Sequence, residues 1–166
     1  AFKSIDFPER CWPDKVIQKA PIWCSVDLRD GNQALVEPMT PRQKLILWNQ
    51  LIALGFKEIE VGFPSASTTD FEFVRQLIED KKIPSDVTLQ VLTQARPDLI
   101  ERTFEALKGV KRAILHVYNS TSTVQREQVF GLDRNGIIDL AVKGASLIRD
   151  TAAKYPETDW VFEYSP

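Results

Sequence analysis

From Ile22 onward, short apolar runs alternate with longer stretches in which apolar residues recur every three or four positions. That alternation is the mark of successive strand and helix units laid on a parallel sheet. The spacing predicts a first strand over 22–28. A helix follows from Thr40, where Pro41 suits the first helical position and Gln43 completes a capping box. Leu45, Trp48, Leu51 and Ile52 make its apolar stripe, and Gly55 stops it. A second strand is expected over 57–62. The next helix is started by Thr68 or Thr69, carries Phe71, Val74, Leu77 and Ile78, and stops before Pro84. A third strand over 87–92 leads to a helix opened by Pro97, whose Ile100, Phe104 and Leu107 face the sheet as far as Gly109. The fourth strand, 111–117, runs through a long loop to a helix capped by Asp133 and striped by Ile137, Ala141, Leu147 and Ile148. A fifth strand covers 159–164. Residues 1–21 follow neither period and are expected to form an amino-terminal arm, with 22–166 as the domain proper.

Four strand–helix units closed by a strand fit two α/β architectures, a doubly wound open sheet or a segment of a TIM (β/α)8 barrel. A whole barrel of that kind takes about 250 residues. The 166 residues present therefore hold about the first five strands and four helices of such a barrel, which makes the chain a portion of one under that reading.

Composition narrows the function. The chain is 43% hydrophobic and 27% charged, enough apolar material for one core. A net charge of −2 and a pI near 5.5 supply no basic surplus for nucleic acid or an anionic membrane surface. Residues 1–21 mix charges with prolines and lack the apolar stretch of a secretory signal, and no later segment is apolar for long enough to span a bilayer. Cys11 and Cys24 alone build neither a disulfide framework nor a cysteine-rich zinc site, so a cytoplasmic protein is expected.

Chemistry concentrates at the ends of the strands. Side chains alternate across a strand, so the expected strands place Ser25, Asp27 and Arg29, then Glu58 and Glu60, then His116 and Tyr118, then Glu163 and Ser165, on faces opposite their apolar neighbours. The polar groups thicken toward the carboxyl ends, where barrels of this class build their sites. With Asp30 added, carboxylates outnumber the single strand-borne cation Arg29. Such an excess invites either raised pKa values or a bound hard cation, magnesium or manganese rather than zinc alone. The same carboxylates also suit a salt-bridge network bracing the barrel, and Asp27 with Glu58 could be only that.

Five runs of residues carry a resemblance. They are Ser25-Val26-Asp27-Leu28-Arg29-Asp30-Gly31-Asn32-Gln33-Ala34-Leu35, Glu58-Ile59-Glu60-Val61-Gly62-Phe63-Pro64-Ser65-Ala66-Ser67, the stretch 90–97, His116-Val117-Tyr118-Asn119-Ser120-Thr121-Ser122, and Phe162-Glu163-Tyr164-Ser165-Pro166. In this order and spacing they resemble the amino-terminal part of the 2-isopropylmalate synthases of the longer class. That family lies within the superfamily of barrel metallo-lyases and Claisen-type synthases. The likeness covers nearly the whole chain, including Trp12-Pro13 and Ala20-Pro21-Ile22-Trp23-Cys24.

The resemblance implies an acyltransferase that condenses acetyl-CoA with 2-oxoisovalerate to 2-isopropylmalate, the first committed step of leucine biosynthesis, with a divalent metal (Mg2+ or Mn2+, or else Zn2+). It implies Asp30 as a metal ligand, Arg29 as the donor that meets the ketone oxygen, and Glu60 as the group that holds Arg29. It assigns Gln33, Leu92, His116, Tyr118 and Ser165 to substrate binding. A homodimer is implied for the complete enzyme. Further metal ligands, a His-x-His pair on a later strand, would lie beyond Pro166, since His116 is the one histidine here. The chain alone is therefore expected to be inactive. Two alternatives stay open: a citramalate- or homocitrate-type synthase that keeps Arg29, Asp30 and Glu60 but changes the pocket near Leu92 and His116, and a scaffold fragment without catalysis.

Overall fold

The computed structural model describes residues 8–9 and 18–166. The arm expected over 1–21 lies mostly outside the described residues, as do Cys11, Trp12 and Pro13.

Five parallel strands stand in chain order, β1 (Cys24–Ser25), β2 (Glu58–Glu60), β3 (Thr88–Gln94), β4 (Arg112–Tyr118) and β5 (Asp159–Ser165). Between them run α1 (Pro41–Leu54), α2 (Thr68–Glu79), α3 (Pro97–Leu107) and α4 (Arg134–Ala152). A doubly wound sheet reverses its strand order at a switch point, whereas this order never reverses. The architecture is that of a partial (β/α) barrel.

Register shows which residues share a face. Ile59, Leu89, Ala113, Leu115 and Val117 lie on the helix side and are buried. They pack with Trp48, Phe73, Leu77, Ile100, Phe104 and Ile148 from the four helices in one continuous core. Phe104 also stacks on Tyr155 at 5.9 Å and meets Trp160 at 4.9 Å, which ties the start of β5 to α3. α4 approaches the residue just after β3 so closely that a Cβ on Gly144 would lie 2.8 Å from that of Ala95, which is why glycine sits in mid-helix there.

Helix starts follow the expected chemistry. Thr40 and Gln43 form the capping box of α1, and Asp133 accepts from the Gly136 amide at 2.8 Å. The cap of α2 is Ser67, one residue ahead of the two threonines, because its extended backbone aims the hydroxyl at the Asp70 amide, 3.0 Å away. The long loop after β4 contains a π-type turn, Gln125–Phe130, closed by Gly131 in the left-handed conformation at φ 61°.

The first strand departs most from expectation. It ends at Ser25, because the Val26 carbonyl then accepts the amides of Arg29, Asp30 and Gly31 at 3.2, 2.8 and 3.2 Å and winds Asp27–Gly31 into a π-type turn. Alternating polar and apolar residues over 24–29 imitate a strand, but Leu28 reaches the core from this turn. Pairing of Cys24 with Glu58 and of Ser25 with Ile59 also inverts the expected faces. Cys24 is on the interior side, and Ser25 lies on the helix side.

Candidate active site

Arg29 enters the barrel mouth from the π-type turn, and strand parity plays no part in its placement. Its Nε donates to Glu60 Oε1, and its Nη1 bonds Asp30 Oδ1 at 2.8 Å. Nη2 has no partner among the described residues. Glu60 is fully buried at the end of β2 and accepts from three groups. Besides Arg29, Gln90 Nε2 reaches its Oε2 at 2.7 Å, and His116 Nδ1 reaches the same oxygen at 2.7 Å. A carboxylate only accepts, so Nδ1 carries the imidazole proton toward Glu60. In the neutral ring Nε2 is then an acceptor, and the Ser165 hydroxyl donates to it at 2.7 Å. One hydrogen-bonded chain thus crosses the mouth from Ser165 through His116 and Glu60 to Arg29 and Asp30.

Burial pushes the Glu60 carboxyl up, but the hydrogen bonds from His116, Gln90 and Arg29, with the Arg29 charge, outweigh it and hold its pKa below the ordinary 4.5. At Glu60, therefore, the carboxylate excess does not raise the pKa. A carboxyl whose pKa is lower in the folded than in the unfolded chain adds its full stabilisation above the unfolded value. It loses that stabilisation as pH falls through the folded value. Glu60→Gln is expected to cost about 3 kcal/mol near neutral pH, with the difference from wild type shrinking below about pH 4.5. Urea titrations across that range check this, and a difference independent of pH would show that the charge of Glu60 does not carry the effect.

Above this chain opens a cleft of about 470 Å³. Arg29, Asp30 and Gln33 line one side, and Leu92, His116, Tyr118 and Ser165 line the other. The structure thus brings together every residue assigned to the site from the sequence, with Glu60 beneath them. Asp27 and Glu58 are not in the lining. Asp27 is exposed and accepts from the Ser25 hydroxyl at 2.6 Å, and Glu58 lies one layer deeper on the interior side. Glu163 pairs with His116 across β4 and β5, its Oε1 3.7 Å from Nε2.

Three parts of the site were given no role from the sequence. Gln90 shares the interior face with Thr88 and Leu92, and a polar residue alternating within β3 was the signal for it. The loop Asn119–Ser122, with Gln125, closes the rim of the cleft. Cys24 turns inward, its thiol 3.4 Å from Gln90 Oε1. Burial, then the charges of Glu60, Glu58 and Glu163, push that thiol up to about 12. Cys24 is accordingly expected to react with iodoacetamide near pH 8 about a hundredfold more slowly than a free thiol. Alkylation followed by mass spectrometry in a Cys11→Ser background measures it, and a rate like that of glutathione would contradict the placement.

Among the described residues no group of three or more His, Cys, Asp and Glu side chains could hold a metal. His116 is occupied on both ring nitrogens. Asp30 lines the cleft with its side chain 62% exposed, and its Oδ2 has no partner among the described residues. Hard cations such as Mg2+ are commonly held by one or two carboxylates with waters and substrate oxygens, so Asp30 fits as one ligand of such a site.

Sequential parallel strands with a charged cleft at their carboxyl ends define a segment of a (β/α) barrel. The HMGL-like family profile matches residues 20–166, and the chain belongs to that family. Among curated proteins it is similar to the 2-isopropylmalate synthase of Pseudarthrobacter chlorophenolicus, 60% identical over 163 residues, which cover 98% of this chain and 28% of that one. The 2-isopropylmalate synthases of Pseudomonas savastanoi pv. phaseolicola and Pseudomonas putida strain GB-1 are 60% and 59% identical over all 166 residues, 30% of each protein's length. The chain thus spans about 30% of the curated relatives it matches. Among the described residues no helix is long and apolar enough to cross a membrane.

Proposed function

We propose that residues 22–166 form part of the catalytic barrel of a cytoplasmic 2-isopropylmalate synthase, preceded by an arm over 1–21, and that the complete, dimeric enzyme condenses acetyl-CoA with 2-oxoisovalerate. One observation carries the reading: Arg29, Asp30, Gln33, Leu92, His116, Tyr118 and Ser165 share one cleft in a chain about 60% identical to enzymes of that name.

The geometry supports a role for each of these residues. Glu60 and Asp30 each fix one nitrogen of the Arg29 guanidinium, so Nη2 is left to donate to the ketone oxygen of the 2-oxo acid. Negative charge grows on that oxygen when a carbon nucleophile attacks, and a donor already in place stabilises it without reorganisation. Leu92 and Tyr118 offer an apolar wall to a branched side chain, while Ser165 and His116 supply polar contacts beside it. A divalent cation, when bound to Asp30, would polarise the ketone and orient the neighbouring carboxylate. Gln33, exposed beside Asp30, is placed to hydrogen-bond a substrate oxygen or a metal-bound water.

The test is a competition assay on the complete enzyme with acetyl-CoA and 2-oxoisovalerate, pyruvate and 2-oxoglutarate, with and without Mg2+ or Mn2+. Metal-dependent preference for 2-oxoisovalerate is the expected result. Preference for either other acid would move the protein to a citramalate- or homocitrate-type activity, and no condensation with any of them would leave the scaffold reading.

A further inference from the structure

Lys44 lies in the buried stripe of α1 with 1% of its surface exposed, where the helical period calls for an apolar residue. Its ammonium pairs with Asp70 of α2, reaches the Val61 carbonyl at 3.4 Å and stands 5.5 Å from the centre of the Phe73 ring. The other oxygen of Asp70 accepts the Phe63 amide at 2.8 Å. A Cβ on Gly62 would come within 2.8 Å of Asp70 Cγ and Oδ2. Three consecutive residues, Val61, Gly62 and Phe63, are thus gripped from the helix side directly after Glu60. From the sheet side, β3 holds the same stretch through Val61 N to Gln90 O and Leu92 N to Gly62 O, both 3.0 Å.

The next contact leads into the cleft. The Phe63 ring meets Tyr118 edge to face, centroids 6.3 Å apart at 78°, and Tyr118 lines the cleft. We propose that Lys44 and Asp70 are positioning residues for substrate recognition, setting the loop after β2 so that Phe63 fixes Tyr118 in the wall that meets the 2-oxo acid's side chain. This rests on the functional reading above.

A purely structural role does not account for the choice of residues. Two apolar side chains of similar volume would join α1 to α2 equally well, since buried ion pairs are often no better than such replacements. They would leave the Phe63 amide without an acceptor. A buried carboxylate provides that acceptor, and its charge needs a cation beside it. Gly62 is the third requirement, because any side chain there would displace the carboxylate.

Two measurements separate the proposal from general destabilisation and from failure of the functional reading. In the complete enzyme, Gly62→Ala and Asp70→Asn should raise KM for 2-oxoisovalerate about three- to tenfold, the range an aromatic edge contact supports, and lower its advantage over pyruvate. The concentration of Mg2+ needed for activation should not change. An unchanged KM and an unchanged preference in both variants would overturn the proposal while leaving the functional reading standing. In this chain, 3-fluorotyrosine gives three 19F resonances, one for each tyrosine, and Tyr118→Phe assigns the one of interest. Both variants, and Lys44→Arg should either fail to fold, are expected to move the Tyr118 resonance more than those of Tyr155 and Tyr164. A stationary Tyr118 signal overturns the clamp even if the enzyme proves to use another substrate.

Discussion

Arg29→Lys is expected to lower kcat of the complete enzyme with 2-oxoisovalerate about 100- to 1,000-fold, the loss typical of removing one donor from a developing oxyanion. The guanidinium is held at two nitrogens, Nε by Glu60 and Nη1 by Asp30, while Nη2 has no partner among the described residues at the cleft that Arg29 lines. An ammonium is a point charge on a flexible stem and cannot hold that planar fork. If it stays with the buried carboxylate, the ketone oxygen loses its donor. If it reaches the ketone, Glu60 loses a partner in a buried place, where both position and charge state depend on its donors. Turnover at saturating substrate is the measurement to make, because the donor acts as charge develops and affects binding less. A kcat within a few fold of wild type would remove Arg29 from the chemistry.

Legibility from sequence followed the range of the forces involved. α1, α3 and α4 were readable because caps, prolines and apolar stripes act within a few residues, as Thr40 with Gln43 and Asp133 with Gly136 show. The longer strands β3, β4 and β5 came within two residues of their expected ends. The first strand did not, since a turn that buries Leu28 and a strand that buries alternate residues write the same short pattern. Only pairing with β2 decides between them, and with it which of Cys24 and Ser25 faces inward.

The site divides the same way. Residue identity and order were enough to gather the members of the cleft by likeness to a family, and the fold then brings those residues to one mouth. The links between them are long-range. Glu60 and Gln90 are adjacent through register, Glu60 and His116 through two intervening strand pairings, and His116 and Ser165 across β4 and β5. The burial of Lys44 was invisible for a related reason. A lysine in an apolar stripe reads as a helix edge until Asp70 from the next helix is seen to meet it.

Asp30→Asn is expected to abolish metal-dependent condensation in the complete enzyme and to weaken Mn2+ binding by more than about a hundredfold. Residues that only orient a metal ligand typically cost 10- to 100-fold, and loss of a charged oxygen donor to a hard cation should exceed that. The fold should survive. Asp30 is largely exposed, its pair with Arg29 lies at the surface, and such pairs contribute about 1 kcal/mol or less. The asparagine oxygen can still accept from Arg29 Nη1, so the guanidinium keeps its place and the variant isolates the metal's contribution from that of Arg29. Mn2+ binding followed by electron paramagnetic resonance, with circular dichroism on the same samples, makes the comparison. Wild-type affinity in a folded variant would transfer the metal to other ligands, and loss of secondary structure would make Asp30 a structural residue.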